Sequence, residues 1–357
     1  MKAHRPTQMR FLLTAAILIG TVGCSGCNSE GTTTVAPKGT GGGAEERLIT
    51  LGTAPVGGAF RPTGDALASV LEENKGQNNW KFQSKGTRGS QMNIRELDSG
   101  DVQLALSNSA ISFRAVHGTG VWDKEFEIRT VMTLAANIGV FISKADSGIK
   151  TIADLRGKRV SVGPSGAGFE MFLGPLLAAH GVTYKDFTPV NQNYSDSVGL
   201  LGDGNIDVAF MGGAVPLPAL AQACTSHAIH FIAYDEAVRT SLIANNQEYP
   251  FFQEGKIPAT NADGKPTYKG LTADVPALDV GSMHLITTVD EDEELIYQVT
   301  KTLWEQREEI GNRHAGAGKS INEQNAARFT GTPFHDGAIR FYKEIGIWND
   351  ESGDKAE

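Results

Sequence analysis

Short apolar runs alternate along this chain with glycine-rich turns and with stretches of helical spacing. Residues 48–53 read as a first strand, and the loop 55–64 leads into a helix over 65–73. A second strand holds Phe82 and ends at 85–90, where a helix over 91–99 begins. A third strand over 102–106 ends in Ser107-Asn108-Ser109. Strand, loop and helix repeated with short links predict a parallel sheet with helical crossovers. Two strands at 128–134 and 139–143 flank Ala135-Ala136-Asn137, which reads as a crossing, and the pattern then restarts. Strands are predicted at 159–162, 187–190, 208–211 and 230–233, with helices to His180, over 195–201 and after Gly212-Gly213-Ala214. Residues 245–277 are irregular, 277–288 read as a returning strand, and 291–313 and 335–345 as helices.

The pattern therefore predicts an α/β fold of two domains, each a mostly parallel sheet flanked by helices. Domain 1 takes 47–135 and 281–357, and domain 2 takes 136–280, with the return crossing inside 233–281. Ligands of such sheets sit at the carboxyl ends of the strands. Here those ends carry Gly, Ser, Thr and Asn, so two facing ends make a cleft.

The most informative stretch is 148–172. A small strand runs into Gly163-Pro164-Ser165-Gly166-Ala167-Gly168, and a helix starts near Phe169. Strand, glycine loop and helix N-terminus gather free backbone N–H groups at the positive end of a helix dipole, a corner suited to an anion. A tight turn with no ligand has the same signature. The loop lacks the Gly-Lys-Ser/Thr of nucleotide enzymes and the acidic residue of the dinucleotide fingerprint.

Residues 1–23 read as an export signal, with Lys2, Arg5 and Arg10 ahead of an apolar run of about a dozen residues, too short to span a bilayer. The run ends at Thr21-Val22-Gly23-Cys24, which resembles a bacterial lipobox except at Thr21. Cys24 is the expected lipidated residue, Cys27 the alternative, and 24–46 a flexible tether. The net charge is −9, and removing 1–23 takes away three basic residues and no acid, giving −12. So acidic a chain argues against nucleic acid as a partner. Cysteines 24, 27 and 224 make neither a disulfide framework nor a zinc site.

Four segments in order carry a family resemblance covering about 48–347. They are Gly57-Gly58-Ala59-Phe60-Arg61-Pro62-Thr63-Gly64, Thr87-Arg88-Gly89-Ser90-Gln91-Met92-Asn93, the stretch 148–172, and Pro333-Phe334-His335-Asp336-Gly337-Ala338 with Tyr342-Lys343-Glu344-Ile345-Gly346. The chain resembles the TAXI family of solute-binding proteins, the extracytoplasmic receptors of TRAP transporters. The resemblance implies a type II periplasmic binding fold that closes on a small organic anion or amino-acid-like solute. It also implies delivery to a TRAP-type permease driven by an ion gradient. A periplasmic or otherwise extracytoplasmic, membrane-anchored monomer is expected, with no cofactor, metal or catalytic residue.

The residues expected at the ligand are Phe60, Arg61, Thr63, Thr87, Gly89, Ser90, Asn108, Ser109, Ser165, Gly166, Ala167, Gly168, Phe169, Gly212 and Gly213. Departures from the family pattern fall on them. Arg61 replaces the second Tyr of the first loop, Ala167 and Phe169 replace a Ser and a Thr, and Ser109-Ala110 stands where an Asp is expected. Arg61 can hold a carboxylate by two hydrogen bonds, so a less polar organic acid fits better than an amino acid. Two other classes remain. A ligand-sensing lipoprotein shares every pocket feature, whereas an enzyme needs a nucleophile or base with an orienting partner, and no histidine stands in such a context.

Overall fold

The computed structural model describes residues 46–261 and 263–349, all within one compact unit. Lobe 1 begins with β1 (Arg47–Gly52), α1 (Phe60–Glu73), β2 (Trp80–Lys85), α2 (Ser90–Asp98), β3 (Leu104–Asn108), α3 (Ser109–Val116) and β4 (Ile128–Thr133). The chain then crosses into lobe 2 with β5 (Ile138–Lys144), β6 (Arg159–Ser161), α4 (Glu170–Ala179), β7 (Thr188–Val190), α5 (Tyr194–Gly202) and β8 (Val208–Gly213). It continues through α6 (Pro218–Ser226), β9 (Ile229–Ile232), α7 (Glu236–Ala244), β10 (Phe252–Ile257) and β11 (Val275–Val280). It returns to lobe 1 as β12 (Met283–Thr288), α8 (Glu293–Glu305), α9 (Arg307–Arg313), α10 (Ala315–Ser320) and α11 (Asp336–Glu344).

The first sheet has the order β2-β1-β3-β12-β4, the second β10-β11-β5-β8-β6-β7 with β9 on β5. In lobe 1, β1 pairs in parallel with β2 and β3, and β12 alone runs the other way, antiparallel to β3 and β4. In lobe 2, β6, β7 and β8 are parallel, while β5, arriving from the crossing, runs against β8, β9 and β11. Each sheet thus holds a reversed strand entering from the hinge. This is an α/β, two-domain periplasmic binding protein fold with mixed sheets flanked by helices.

Helices pack by their apolar faces. α1 buries Leu67, Val70 and Leu71 at helical spacing against a sheet that buries Ile49, Leu51, Leu104 and Leu106, at roughly 1.5–3 kcal/mol for each large aliphatic side chain. α8 does the same with Leu295, Ile296, Val299 and Leu303. Three expectations are corrected. The returning strand is two strands, β11 and β12, because Gly281 takes φ +108° and breaks the ladder between them. The long helix of 291–313 breaks at Gln306 into α8 and α9. The irregular 245–277 contains β10, paired antiparallel with β11.

The two crossings lie side by side. Leu134 N–H donates to Met283 O (2.8 Å), Met283 N–H to Ala135 O (2.9 Å) and Val280 N–H to Asn137 O (3.0 Å). A third segment clips them together: Asn325 Nδ2 donates to Leu134 O (2.7 Å) and Arg328 Nη2 to Ser282 Oγ (2.6 Å). Ser282 in turn donates to the buried carboxylate of Asp279, which also accepts from Asn137 N–H at 3.0 Å. Burial raises the Asp279 carboxyl above its usual range.

Candidate functional site

A cleft of about 560 Å3, open solvent included, lies between the carboxyl ends of the two sheets. Lobe 1 contributes Ala54, Pro55, Val56, Gly58, Ala59, Phe60, Arg88, Gly89, Ser90 and Asn108. Asn137 in the crossing, with Pro164, Ala167, Phe169, Asn193, Tyr194 and Gly212 of lobe 2, completes the lining.

The strand–loop–helix repeat decides what these residues share. Ala59 and Phe60 begin α1, Gly89 and Ser90 begin α2, and Asn108 begins α3. Phe169 begins α4, and Asn193 and Tyr194 begin α5. Five helix N-termini therefore converge on one cleft and bring partial positive charge to it, while α3 spends the N–H groups of Ser109 and Ala110 on Ser282 O and Asn108 Oδ1, and α4 and α5 carry Glu170 and Asp196 in their first turns. The first turns of α1 and α2 hold neither a side-chain cap nor an acidic residue. Among the described residues Arg88 is the one charged member of the lining, and no carboxylate is in it. Arg88 is exposed and makes no ion pair with another described residue.

The rest of the lining is mostly apolar. Phe169 packs on Tyr194 and Phe172, with ring centroids 6.0 and 5.2 Å apart, so the α4 and α5 entrances form one aromatic wall. Its loop turns through three glycines of positive φ, Gly163, Gly166 and Gly168. A Cβ on Gly163 would meet the Phe169 ring at 2.3 Å, so only glycine lets that ring sit there. The lobes touch at this loop, with Gln91 N–H donating to Ala167 O (3.4 Å).

Two hydroxyls stand ready to donate. Ser90 Oγ accepts from Asn108 N–H (3.0 Å), and Tyr194 Oη accepts from Gly212 N–H (3.1 Å), which leaves each with its own proton. Burial pushes the Tyr194 phenol well up, so it stays protonated. The amides of Asn108 and Asn193 are already engaged. Asn108 Nδ2 donates to Gly281 O (2.8 Å) and Val280 O (3.2 Å) while its Oδ1 accepts from Ala110 N–H. Asn193 caps α5 and donates to Asp196.

Of the residues expected from sequence, the cleft brings together Phe60, Gly89, Ser90, Asn108, Ala167, Phe169 and Gly212. Arg61, Thr63, Thr87, Ser109, Ser165, Gly166, Gly168 and Gly213 are not in the lining. Arg61 points along α1 and pairs with Asp65. Thr63 and Ser109 are buried within their helices. The Thr87 hydroxyl donates to Thr53 O and accepts from Gly89 N–H. Ser165 and Gly166 are exposed, while Gly168 packs on Met171 and Ile111 and Gly213 on Leu217. Sequence reasoning passed over Arg88, inside a segment it singled out, and Asn193 and Tyr194, which sit at a strand's carboxyl end like the rest. Pro164 belongs to the glycine loop read from sequence as an anion corner, though not among the expected ligand residues, and Asn137 is read there only as part of the crossing. Cys24 lies outside the described residues. Among those residues no group of three His, Cys, Asp or Glu could hold a metal ion, and no helix is long and apolar enough to cross a membrane.

Two hinged lobes with a lined cleft define the periplasmic-binding class of fold. A family model described as the NMT1-like family matches residues 51–346, and the chain belongs to that family. Among solved structures it is similar to a binding protein component of an ABC phosphonate transporter from Pseudomonas aeruginosa. That match has a TM-score of 0.49 at 10% identity, over 77% of this chain and 80% of that chain. It is also similar to the alkanesulfonate-binding protein from Xanthomonas axonopodis pv. citri bound to MOPS, at TM-score 0.45 and 13% identity over 87% and 96%. For the periplasmic aliphatic sulphonate binding protein from Escherichia coli the values are 0.42, 13%, 77% and 77%.

Proposed function

We propose that this chain is an extracytoplasmic solute-binding receptor that captures a small organic anion between its lobes and delivers it to a membrane permease. The observation that carries this reading is the convergence of five helix N-termini and the unpaired Arg88 on a cleft whose lining holds no carboxylate. Such a site favours negative charge and offers nothing to neutralise an ammonium. Ser90, Tyr194 and Arg88 donate to the acid group, and Phe60 and Phe169 cover its apolar part. In this reading the domains are 47–135 with 281–357, and 136–280, a division supported by the separate strand sets of the two sheets.

The finer assignment, a TRAP-type permease as partner, rests on the four sequence segments that resemble the TAXI family. Anchoring through Cys24 rests on the residues before the tether. Mass spectrometry of small molecules released from the purified, denatured chain tests the reading, followed by calorimetric titration with what is found. An anionic solute bound saturably is the expected result. A cationic solute, or turnover of the solute during titration, overturns it.

A further inference from the structure

Asn137 is the one carboxamide of the cleft that the fold leaves with a free acceptor. It is 6% exposed and lines the cleft from the first crossing, and among the described residues its Oδ1 has no hydrogen-bond partner. Asn108 and Asn193, the other two amides of the lining, spend theirs on holding backbone. The position of Asn137 is fixed from behind. Its N–H donates to Asp279 Oδ1 (3.0 Å) and its C=O accepts from Val280 N–H (3.0 Å), so the second crossing sets where its side chain enters the cleft. A buried acceptor left without a donor costs free energy, and retaining one makes sense where a ligand supplies the donor.

We infer that Asn137 accepts a hydrogen bond from an O–H or neutral N–H of the bound solute. The solute class is then an organic anion that carries a hydroxyl or amide donor on its apolar body, as distinct from a plain hydrocarbon acid. This deepens the receptor reading above and rests on it. The division of labour follows from which atoms are free. Ser90, Tyr194 and Arg88 offer protons to the acid group, while Asn137, buried in the lining of the same cleft, keeps the unused acceptor. A cationic amine is a poor match, because no carboxylate in the lining would balance its charge once desolvated.

The test titrates the purified full chain with pentanoate and with 2-, 3-, 4- and 5-hydroxypentanoate, since the position of the donor along the body is left open. The parent should bind at least one hydroxypentanoate tenfold or more tightly than pentanoate. In Asn137→Leu that ratio should fall to threefold or less, and Asn137→Ala, which asks for less room, should show the same loss. Arg88→Ala should weaken every acid that binds and keep the ratio. Ligand-free Asn137→Leu should melt at or above the parent temperature, which an asparagine kept for structure would not allow. A parent ratio under threefold, or a ratio retained in both Asn137 variants, overturns the inference and leaves the anion receptor standing. No saturable binding of any of the five acids to the folded parent overturns the inference as well, while the receptor reading stands or falls with the solute released from the purified chain.

Discussion

Arg61 Nε lies 2.9 Å from Asp65 Oδ2, one helical turn further along α1, and this pairing turns the guanidinium away from the cleft. Asp65 is held in its turn by Ser84, whose hydroxyl donates to it at 2.6 Å. Arg61 also passes over Gly86, where a Cβ would meet its Nη1 at 2.2 Å. The cation that faces the cleft is Arg88, at the entrance to α2.

The two arginines should therefore separate cleanly. Arg88→Ala should weaken binding of the co-purified anion by at least about tenfold, roughly 1.4 kcal/mol. Arg61→Ala should leave affinity within about threefold and cost no more than about 0.5 kcal/mol of stability, as befits a half-exposed i,i+4 pair. Calorimetry and denaturant midpoints on both variants read this out. The reverse pattern would return the anion site to Arg61.

His284 gives a pH dependence with a definite sign. It is fully buried in β12, its Nε2 2.8 Å from Ser112 Oγ and its Nδ1 3.3 Å from Thr130 Oγ1. Burial, with Arg328 adding to it, lowers its pKa to about 3. Between that value and the ordinary one near 6.5 the unfolded chain holds the extra proton, so stability is lost as pH falls through this window. The loss amounts to about 1.4 kcal/mol per pH unit for one proton. Burial also lowers His314 and His335, so the parent's slope is a sum. Urea midpoints from pH 7 to pH 4 should fall less steeply in His284→Gln than in the parent; equal slopes would place the proton uptake elsewhere.

Gly281 should not tolerate a side chain. Its φ is +108°, and a Cβ there would stand 2.4 Å from Asn108 Oδ1 and 2.8 Å from Ala110 N. Gly281→Ala forces the β3–α3 corner away from the second crossing and adds backbone strain, together on the order of 1–3 kcal/mol. A denaturant midpoint unchanged within about 0.5 kcal/mol would show that the corner yields freely.

If Cys24 is the anchor proposed above, Cys24→Ala should abolish the membrane-anchored form while the solute is still bound, because Cys24 stands thirty positions before Ala54, the first residue of the lining. Intact mass of the membrane fraction checks the first half, and titration of the soluble variant the second. A parent recovered only without lipid would refute the anchor.

How far the sequence could be read depended on what each residue's position is fixed by. Strand ends and helix starts follow from local periodicity, so the loops at Phe60, Ser90, Asn108, Ala167 and Gly212 were visible before the fold was. The direction of a side chain within a loop is set by tertiary neighbours. Arg61 and Arg88 both lie near a helix start, but Arg61 sits inside the first turn of α1 with Asp65 one turn on, while Arg88 precedes α2 and has no such carboxylate partner among the described residues. That i,i+4 spacing was in the sequence and carried the signal. Asn137 was illegible for a different reason. Its value lies in having no partner, and a missing partner shows only once every neighbour has been placed.

The clip formed by Asn325 and Arg328 gives the chain a timetable. Every residue that lines the cleft stands at or before Gly212, while the groups that lock the crossings come more than a hundred positions later. A chain grown only as far as residue 320 would own the whole lining and both crossings, joined by their own backbone hydrogen bonds but without the side chains of Asn325 and Arg328 that tie Leu134 and Ser282 to a common support. A segment made late, just ahead of α11, adds the side-chain ties that brace the two crossings from outside.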